Sequence, residues 1–366
     1  MKLNVWFNSG VSLTAIMRAI REREDQLLVE QRLINKMVCT HKNPWFVGFP
    51  EADHGEAEPD VSGEEYVQWA LAFAARHKID RLVVGDHFKT LTQAEARFNA
   101  QGVQLVYGCP VSSWDAIDDK SAFYETLVAH GQQRMLPAWG IWNDGDAAGL
   151  DGVAQTVLST MSGDHDVDTP LCVKPVRGIY GQGFFRLAVT PDAHQQLFYP
   201  DRRIIQAAQF GVLAHQNGLK HGHSNWMVME FLGGPEYSVD CLAWDGKLVT
   251  AVAREKQGGN RGQVIVHDET LLDYCRTLVD VFKLKGVFNA QFLRNKRGEL
   301  KVLEINPRFS GGTGMSVRAG VNLPWWWLKL TAGGSADGIP APVIGTRVHA
   351  SIIHVPLRRF PSLVEG

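Results

Sequence analysis

The chain is poor in cysteine and has none of the spacings that give cysteine a structural task. Cys39, Cys109, Cys172, Cys241 and Cys275 are odd in number, far apart and without a CxxC pair. This excludes a disulfide framework and a thiolate zinc site, and it fits a reducing, cytoplasmic compartment. No run approaches the ~18 apolar residues of a membrane-spanning helix. The opening MKLNVWFNSG has one lysine and no long apolar core, so no secretory leader is expected there. The formal net charge is only −2 over 366 residues. There is therefore no broad electrostatic case for nucleic acid or for an anionic membrane as partner. Repeats and low-complexity tracts are absent as well.

Hydrophobic residues make up 45% of the chain, enough for two or three packed units. The first ~110 residues alternate between strand and helix patterns. KLNVWFN, KMVCTH, DRLVVGD and VQLVYG read as strands. SLTAIMRAIRERE, GEEYVQWALAFAARHK and LTQAEARFNAQG read as helices, the second with Tyr66, Ala70 and Phe73 on one face. Such alternation predicts a parallel sheet with right-handed crossovers, whose ligands bind beyond the carboxyl ends of the strands. That edge would carry Asn8, Ser9, Gly10, His41, Asp86 and His87.

Further on, SSWDAIDDKSAFYETLVAHG reads as a helix. TPLCVKP and FFRLAV read as strands around a glycine-rich turn, followed by two helical stretches. A strand-rich part starts at NWMVMEFLGGPEYSVDCL, and ETLLDYCRTLVDVFKL is a helix within it. RNKRGEL predicts a hairpin turn that pairs 287–293 with 299–306 antiparallel. The last ~30 residues are a Gly/Pro-rich connection and one more strand. PWWWLKL (324–330) reads as a buried or interface segment, with base stacking as the alternative; a homodimer is compatible with it.

The chemistry gathers in that hairpin. Side chains alternate along a strand, so Val302, Glu304 and Asn306 share one face while Leu303 and Ile305 share the other. With Gln291 opposite, three hard oxygen donors would stand together, as Mg²⁺ prefers. Arg308 follows, where a forked cation can meet phosphate oxygens. A half-exposed strand with ordinary polar residues is the alternative, and for Glu304 alone it carries equal weight. His221 and His223 have a metal-compatible spacing, but no acid or cysteine motif accompanies them and a loop position explains them as well. No GK[ST] opens a helix, so there is no P-loop, and a strand rather than a helix follows the glycine turn.

NAQFLRNKRGELKVLEINPRFSGGTGMSVRAGVNLP resembles the metal-binding end of the ATP-grasp superfamily, above all its carbamoyl-phosphate-synthetase-like members. The resemblance covers roughly 110–330. It implies Mg²⁺, or Mn²⁺ in its place, at Gln291, Glu304 and Asn306, and Arg308 on the reacting phosphates. LCVKPVRGIYGQGFF is similar to the family's first-lobe hairpin, which implies Lys174 over the phosphates beneath a flap with Gly181 and Gly183. MVMEFLGGPEYSVDCL resembles the hinge, which implies adenine at Glu230, Phe231 and Leu232 and ribose at Glu236. The same resemblance implies Lys120 and Arg254 as further phosphate contacts, with Lys256 beside Arg254. The acceptor carboxylate is expected at Ser310, Gly311, Gly312, Thr313 and Arg318, facing Gly10. The run FSGGTGMSVRAG departs from the Ser/Arg-rich run of carbamoyl phosphate synthetases, so that substrate does not carry over.

The expected fold is thus α/β: a parallel-sheet domain at 1–110, then a two-lobe clamp at 111–232 and 233–366. The implied activity is an ADP-forming ligase that joins a small carboxylate to an amine through an acyl phosphate. A nucleotide-binding regulatory protein without turnover and a small-molecule kinase remain as alternatives. A kinship with ATP-grasp proteins of stress or tellurite-resistance gene clusters is a further expectation.

Overall fold

A computed structural model describes residues 2–10, 12–146, 149–161, 170–178, 181–188, 190, 193–258 and 262–351. The chain divides into two compact units. The first comprises Met1–Ser113, Ser238–Ala290 and Ile305–Gly366; the second comprises Trp114–Tyr237 and Gln291–Glu304.

In the first unit, β1 (Leu3–Phe7), β2 (Ile34–His41), β3 (His54–Ala57), β4 (Arg81–Val83) and β5 (Gln104–Val106) form an all-parallel sheet in the order β3-β2-β1-β4-β5. The chain moves outward from β1 to β3, then returns to β4 on the other side of β1. Helix Leu13–Asp25 buries Ile16, Met17 and Ile20, and helix Gly63–His77 buries Tyr66, Ala70 and Phe73, as the 3.6 period predicts. The helix expected over LTQAEARFNAQG is broken at Ala94 into Phe88–Gln93 and Glu95–Ala100. β3 gives no sequence signal, because DHGEAE carries a single apolar side chain, Ala57. It is held by its pairing with β2 and by the Phe49 ring, which occupies the space a Cβ on Gly55 would need.

The second unit holds a sheet of β6 (Trp139–Asn143), β7 (Leu171–Pro175), β8 (Phe185–Ala188), β9 (Ile204–Gln206) and β10 (Asn225–Glu230) in the order β6-β10-β7-β8-β9. Trp142, Val173, Phe210 and Val228 lie in its core. The expected single helix before it is two, Val111–Asp118 and Lys120–Ala129. Asp119 interrupts it and caps the second, its Oδ1 accepting from the Ser121 and Ala122 amides at 3.1 Å.

A third sheet contains β11 (Glu236–Trp244), β12 (Lys247–Lys256), β13 (Gly262–Val266), β14 (Gly286–Arg294), β15 (Leu300–Asn306) and β16 (Arg347–His349) in the order β15-β14-β11-β12-β13-β16. The β14–β15 hairpin closes where the Asn295 amide donates to the Glu299 carbonyl at 3.0 Å, and Gly298 supplies the positive φ of 78° that the turn requires.

The two compact units have other bounds than the expected three consecutive domains. Val5, Phe7 and Ile16 share one core with Leu242, Val252, Ile265, Val287 and Trp325–Trp327, so the N-terminal sheet is not a separate body from 238–290 and 305–366. The tryptophan run packs inside this unit, with Trp325 Nε1 donating to Glu24 at 2.7 Å. All five cysteines are free and buried. No helix among the described residues is long and apolar enough to cross a membrane.

Candidate active site

In the second unit, Lys174 sits near the end of β7, half-buried. Burial holds its ammonium below the ordinary lysine range, and Lys120 acts the same way; the charge on Glu304 acts against them. Lys174 Nζ stands 6.0 Å from the centre of the Tyr124 ring, and the Tyr124 hydroxyl donates to the Val302 carbonyl on β15 at 3.2 Å. The structure therefore brings Lys174 and Glu304 together across a fully buried tyrosine. Burial first, then the neighbouring Cys172 and Glu304, push the Tyr124 hydroxyl far above the ordinary tyrosine range, so it stays a donor. Lys120 opens its helix and its Nζ donates to the Gly178 carbonyl at 3.0 Å, at the start of the glycine turn. Gly181 and Gly183 have φ of 66° and 71°, and at Gly183 a Cβ would stand 2.9 Å from Pro175. Residues 179–180 of the expected flap lie outside the described residues.

The hinge residues lie at the end of β10 and just beyond it. The Glu230 amide donates to the Ala138 carbonyl at 2.9 Å and the Phe231 amide to the Pro170 carbonyl at 2.8 Å. Leu232 is buried, and the Arg186 guanidinium lies over the Phe231 ring at 3.9 Å. Glu236 is half-buried at the start of β11. Gln291 and Glu304 are half-buried on β14 and β15. Asn306 ends β15 in the first unit, and its Oδ1 accepts from Arg308 Nη2 at 3.0 Å, so the arginine fork is oriented by the amide two residues before it.

Arg308 lines a cleft of the first unit with Gly10, Gly85, Gly108 and Pro307. Gly10 lies close to the neighbouring backbone there: a Cβ on it would stand 3.0 Å from Gly85 Cα. The turn Ser310–Gly312 leads into the short helix Thr313–Arg318. Arg254, expected to face phosphate, is instead buried within this unit. Its Nη2 donates to Asp240 at 2.9 Å and to Ser238 and Ser310 at 3.1 Å, and Nη1 donates to Gln263. The guanidinium fills the space a side chain on Gly312 would need. Its Nη2 thus links Ser310, at the start of the turn, to Asp240 on β11. Arg318 is exposed and paired with Glu22 at 3.0 Å, on a groove with Arg18 and Gly314.

Asp240 escaped the sequence reading. It is 1% exposed and accepts from Arg254, Ser316 and, at 2.7 Å, Asn289. The available signal was a charged residue inside the apolar strand YSVDCL. His223 is explained by structure rather than by a metal: its Nδ1 is 2.9 Å from Asp144, which also accepts from the Ser224 amide at 2.8 Å and Trp226 Nε1 at 3.0 Å. Burial raises the Asp144 carboxyl, but these hydrogen bonds outweigh it and hold the group below its ordinary range.

The architecture matches solved structures over nearly the whole chain. The T882A form of Rhizobium etli pyruvate carboxylase with acetyl coenzyme A matches at 13% identity and TM-score 0.61, over 93% of this chain and 30% of that one. An L-amino acid ligase from Bacillus licheniformis matches at 15% identity and TM-score 0.57, over 93% of this chain and 78% of that one. N5-carboxyaminoimidazole synthetase from Staphylococcus aureus, complexed with ADP, matches at 13% identity and TM-score 0.60, over 92% and 79%. These identities speak for the fold alone. No curated protein sequence matches the chain. Residues 223–351 match the family described as ATP-grasp in the biosynthetic pathway with Ter operon.

Proposed function

We propose that the chain is an ATP- and Mg²⁺-dependent ligase that phosphorylates a small carboxylate and lets an amine displace the phosphate. The observation that carries this reading is the nearness of Lys174 and Glu304 across Tyr124: a cation suited to phosphate and an anion suited to a metal lie on two strands of one unit. Gln291 and Glu304, on neighbouring strands, would ligate through oxygen, which fits a hard divalent cation. When bound there, Mg²⁺ would neutralise phosphate charge and polarise the transferred group.

The chain's own residues supply positioning and charge. Lys120 and Lys174 would hold the phosphates under the 178–183 turn. Glu230 to Leu232 would meet the adenine edge and Glu236 the ribose. Arg308, oriented by Asn306, would take the oxygens of the transferring phosphoryl group, where charge spreads in the transition state. The turn 310–313, braced by Arg254, would present the carboxylate acceptor. No side-chain nucleophile is needed, because the acyl phosphate is made by in-line attack of the carboxylate oxygen on the γ-phosphorus, with ADP leaving.

The test is a screen of amino acids and small carboxylates with amines for ADP release, with products read by mass spectrometry. Hydroxylamine added in place of the amine should trap the acyl phosphate as a hydroxamate. ADP release that yields a stable phosphorylated product and no hydroxamate would replace the ligase with a kinase. Absence of release across the screen would leave nucleotide binding without turnover.

A further inference from the structure

β3 is an edge strand with little apolar surface of its own, yet its polar side chains do not all face water. His54 and Glu56 stand two residues apart and so share one face of the strand. That face meets His77, the last residue of helix Gly63–His77. The His54 and His77 rings have centroids 4.5 Å apart. His54 Nε2 lies 3.1 Å from Glu56 Oε2, and His77 Nε2 lies 4.0 Å from the same oxygen. One ligand atom from each of the three falls within 4.8 Å of the others. The Glu56 and His77 side chains are 7% and 9% exposed, whereas His54 is 38% exposed and leaves a way in from solvent.

His77 Nε2 is buried and has no hydrogen-bond partner among the described residues, the 4.0 Å to Glu56 being too long for one. Buried polar atoms are almost always satisfied, and this one stands across from a carboxylate at a spacing that an ion would bridge. Two imidazole nitrogens and one carboxylate oxygen suit zinc or another borderline first-row cation better than Mg²⁺ or Ca²⁺. Around a tetrahedral zinc, bonds near 2.0–2.1 Å set neighbouring ligand atoms roughly 3.3 Å apart. The His54–Glu56 pair is already near that spacing, and small turns of the two rings supply the rest.

Two cations stand beside the group. Arg76 Nη2 donates to Oε1 and Oε2 of Glu56 at 2.8 and 3.0 Å. A ligating carboxylate is ordinarily hydrogen-bonded in turn, so the guanidinium can keep Oε1 while Oε2 turns to the ion. Lys36 Nζ lies 3.1 Å from His77 Nδ1. A metal on Nε2 puts the imidazole proton on Nδ1, and the ammonium must then leave. Lys36 is half-exposed and its flexible stem can carry the charge into water, so it acts as a competitor of the metal.

We propose that His54, Glu56 and His77 form a site for a zinc-like divalent cation that clips β3 to the end of helix Gly63–His77. In the metal-free chain β3 rests on β2 and Phe49, and the ion adds a link from its own side chains. The site lies within the first unit, at the amino end of β3 and just ahead of β4, away from the carboxyl ends where a parallel sheet takes its ligands. None of its residues belongs to the proposed nucleotide or Mg²⁺ set, so the inference goes beyond the ligase reading and does not rest on it.

The test uses the full chain without an affinity tag, stripped with a chelator that is then dialysed away. Titration calorimetry with ZnCl₂ should show a saturable site for which excess MgCl₂ does not compete. The melting temperature should rise with its occupancy, by mass action on the folded state. His54→Phe and His77→Phe should each weaken zinc at least as much as the ~10–100-fold that loss of an outer-shell partner costs. Both changes keep an aromatic ring in the place of the imidazole. Lys36→Met removes the competitor and should tighten zinc several-fold, a gain that a purely structural role of the lysine would not give. No zinc binding, or an affinity unchanged in both histidine variants, overturns the site. Should the histidine variants fail to fold, zinc binding in Lys36→Met no tighter than in wild type overturns it as well.

Discussion

Arg254 and Asp240 form a two-pronged ion pair inside the first unit, with Nη2 and Nε donating to one carboxylate oxygen at 2.9 and 3.2 Å. Both side chains are 2% exposed or less. Removing one partner leaves the other charge buried and unpaired, which costs ~3–5 kcal/mol, whereas replacing both by apolar groups is often tolerated. Arg254→Met should therefore lower the melting temperature strongly, and adding Asp240→Leu should recover part of the loss. Arg254→Lys should also fail to restore the wild-type melt, because a point charge cannot serve Ser238, Asp240 and Ser310 together. A wild-type melt for Arg254→Met would show that the pair does not brace the turn.

Glu304→Gln keeps shape and removes one negative charge from a half-buried position. Its expected effect is a fall in turnover of about 10²–10³ at saturating Mg²⁺ with a near-normal melt. Asn306→Ala should cost less in metal binding, since a neutral ligand contributes less, but it also frees the Arg308 fork it orients. Turnover of Glu304→Gln within a few-fold of wild type would take Glu304 out of the metal site.

Lys174→Ala should weaken ATP binding and turnover together, because on the proposed reading the ammonium would meet phosphate in both ground and transition states. Isothermal titration with ATP separates this from a fold defect. Unchanged ATP affinity with unchanged turnover would move the phosphates away from β7.

His77 gives a pH signature. Its pKa is lowered from 6.5 to about 4, first by burial and then by the positive charge of His54, Lys36 and Arg76. The folded state holds this imidazole neutral while the unfolded chain protonates it near 6.5. Its contribution to stability is therefore complete above pH ~6.5 and is lost as pH falls toward ~4. His77→Leu should flatten the stability profile in that window, measured by urea unfolding across pH. An unchanged slope would assign the acid lability elsewhere.

The sequence made single strand and turn positions more legible than long-range partners. Glu304, Asn306 and Arg308 could be placed on a strand end because a carboxylate and an amide two residues apart break an apolar alternation. Lys174 could be placed because a lysine closes the apolar run LCV before a glycine turn. Arg254 misled, because a cation at a strand end looks the same whether it faces a phosphate or an inward aspartate. Asp240, its partner, lies 14 residues away on the neighbouring part of the chain, and no local pattern ties the two. β3 was invisible for a related reason: its stability comes from β2 and Phe49, not from its own residues.

The first unit is discontinuous in the chain, and this sets a schedule for its birth. The inner face of Val5, Phe7 and Ile16 packs against Val287, Phe309 and Trp325–Trp327, which are made some 300 residues later. At ribosomal speeds of about 5–20 residues per second, that face waits roughly 15–60 s for its lid. During that interval the nascent N-terminal sheet offers an open apolar surface, so its synthesis in the cell calls for a holding chaperone or a slow-to-aggregate intermediate. A variant that greases this face further would show its defect in yield before it showed one in the finished protein.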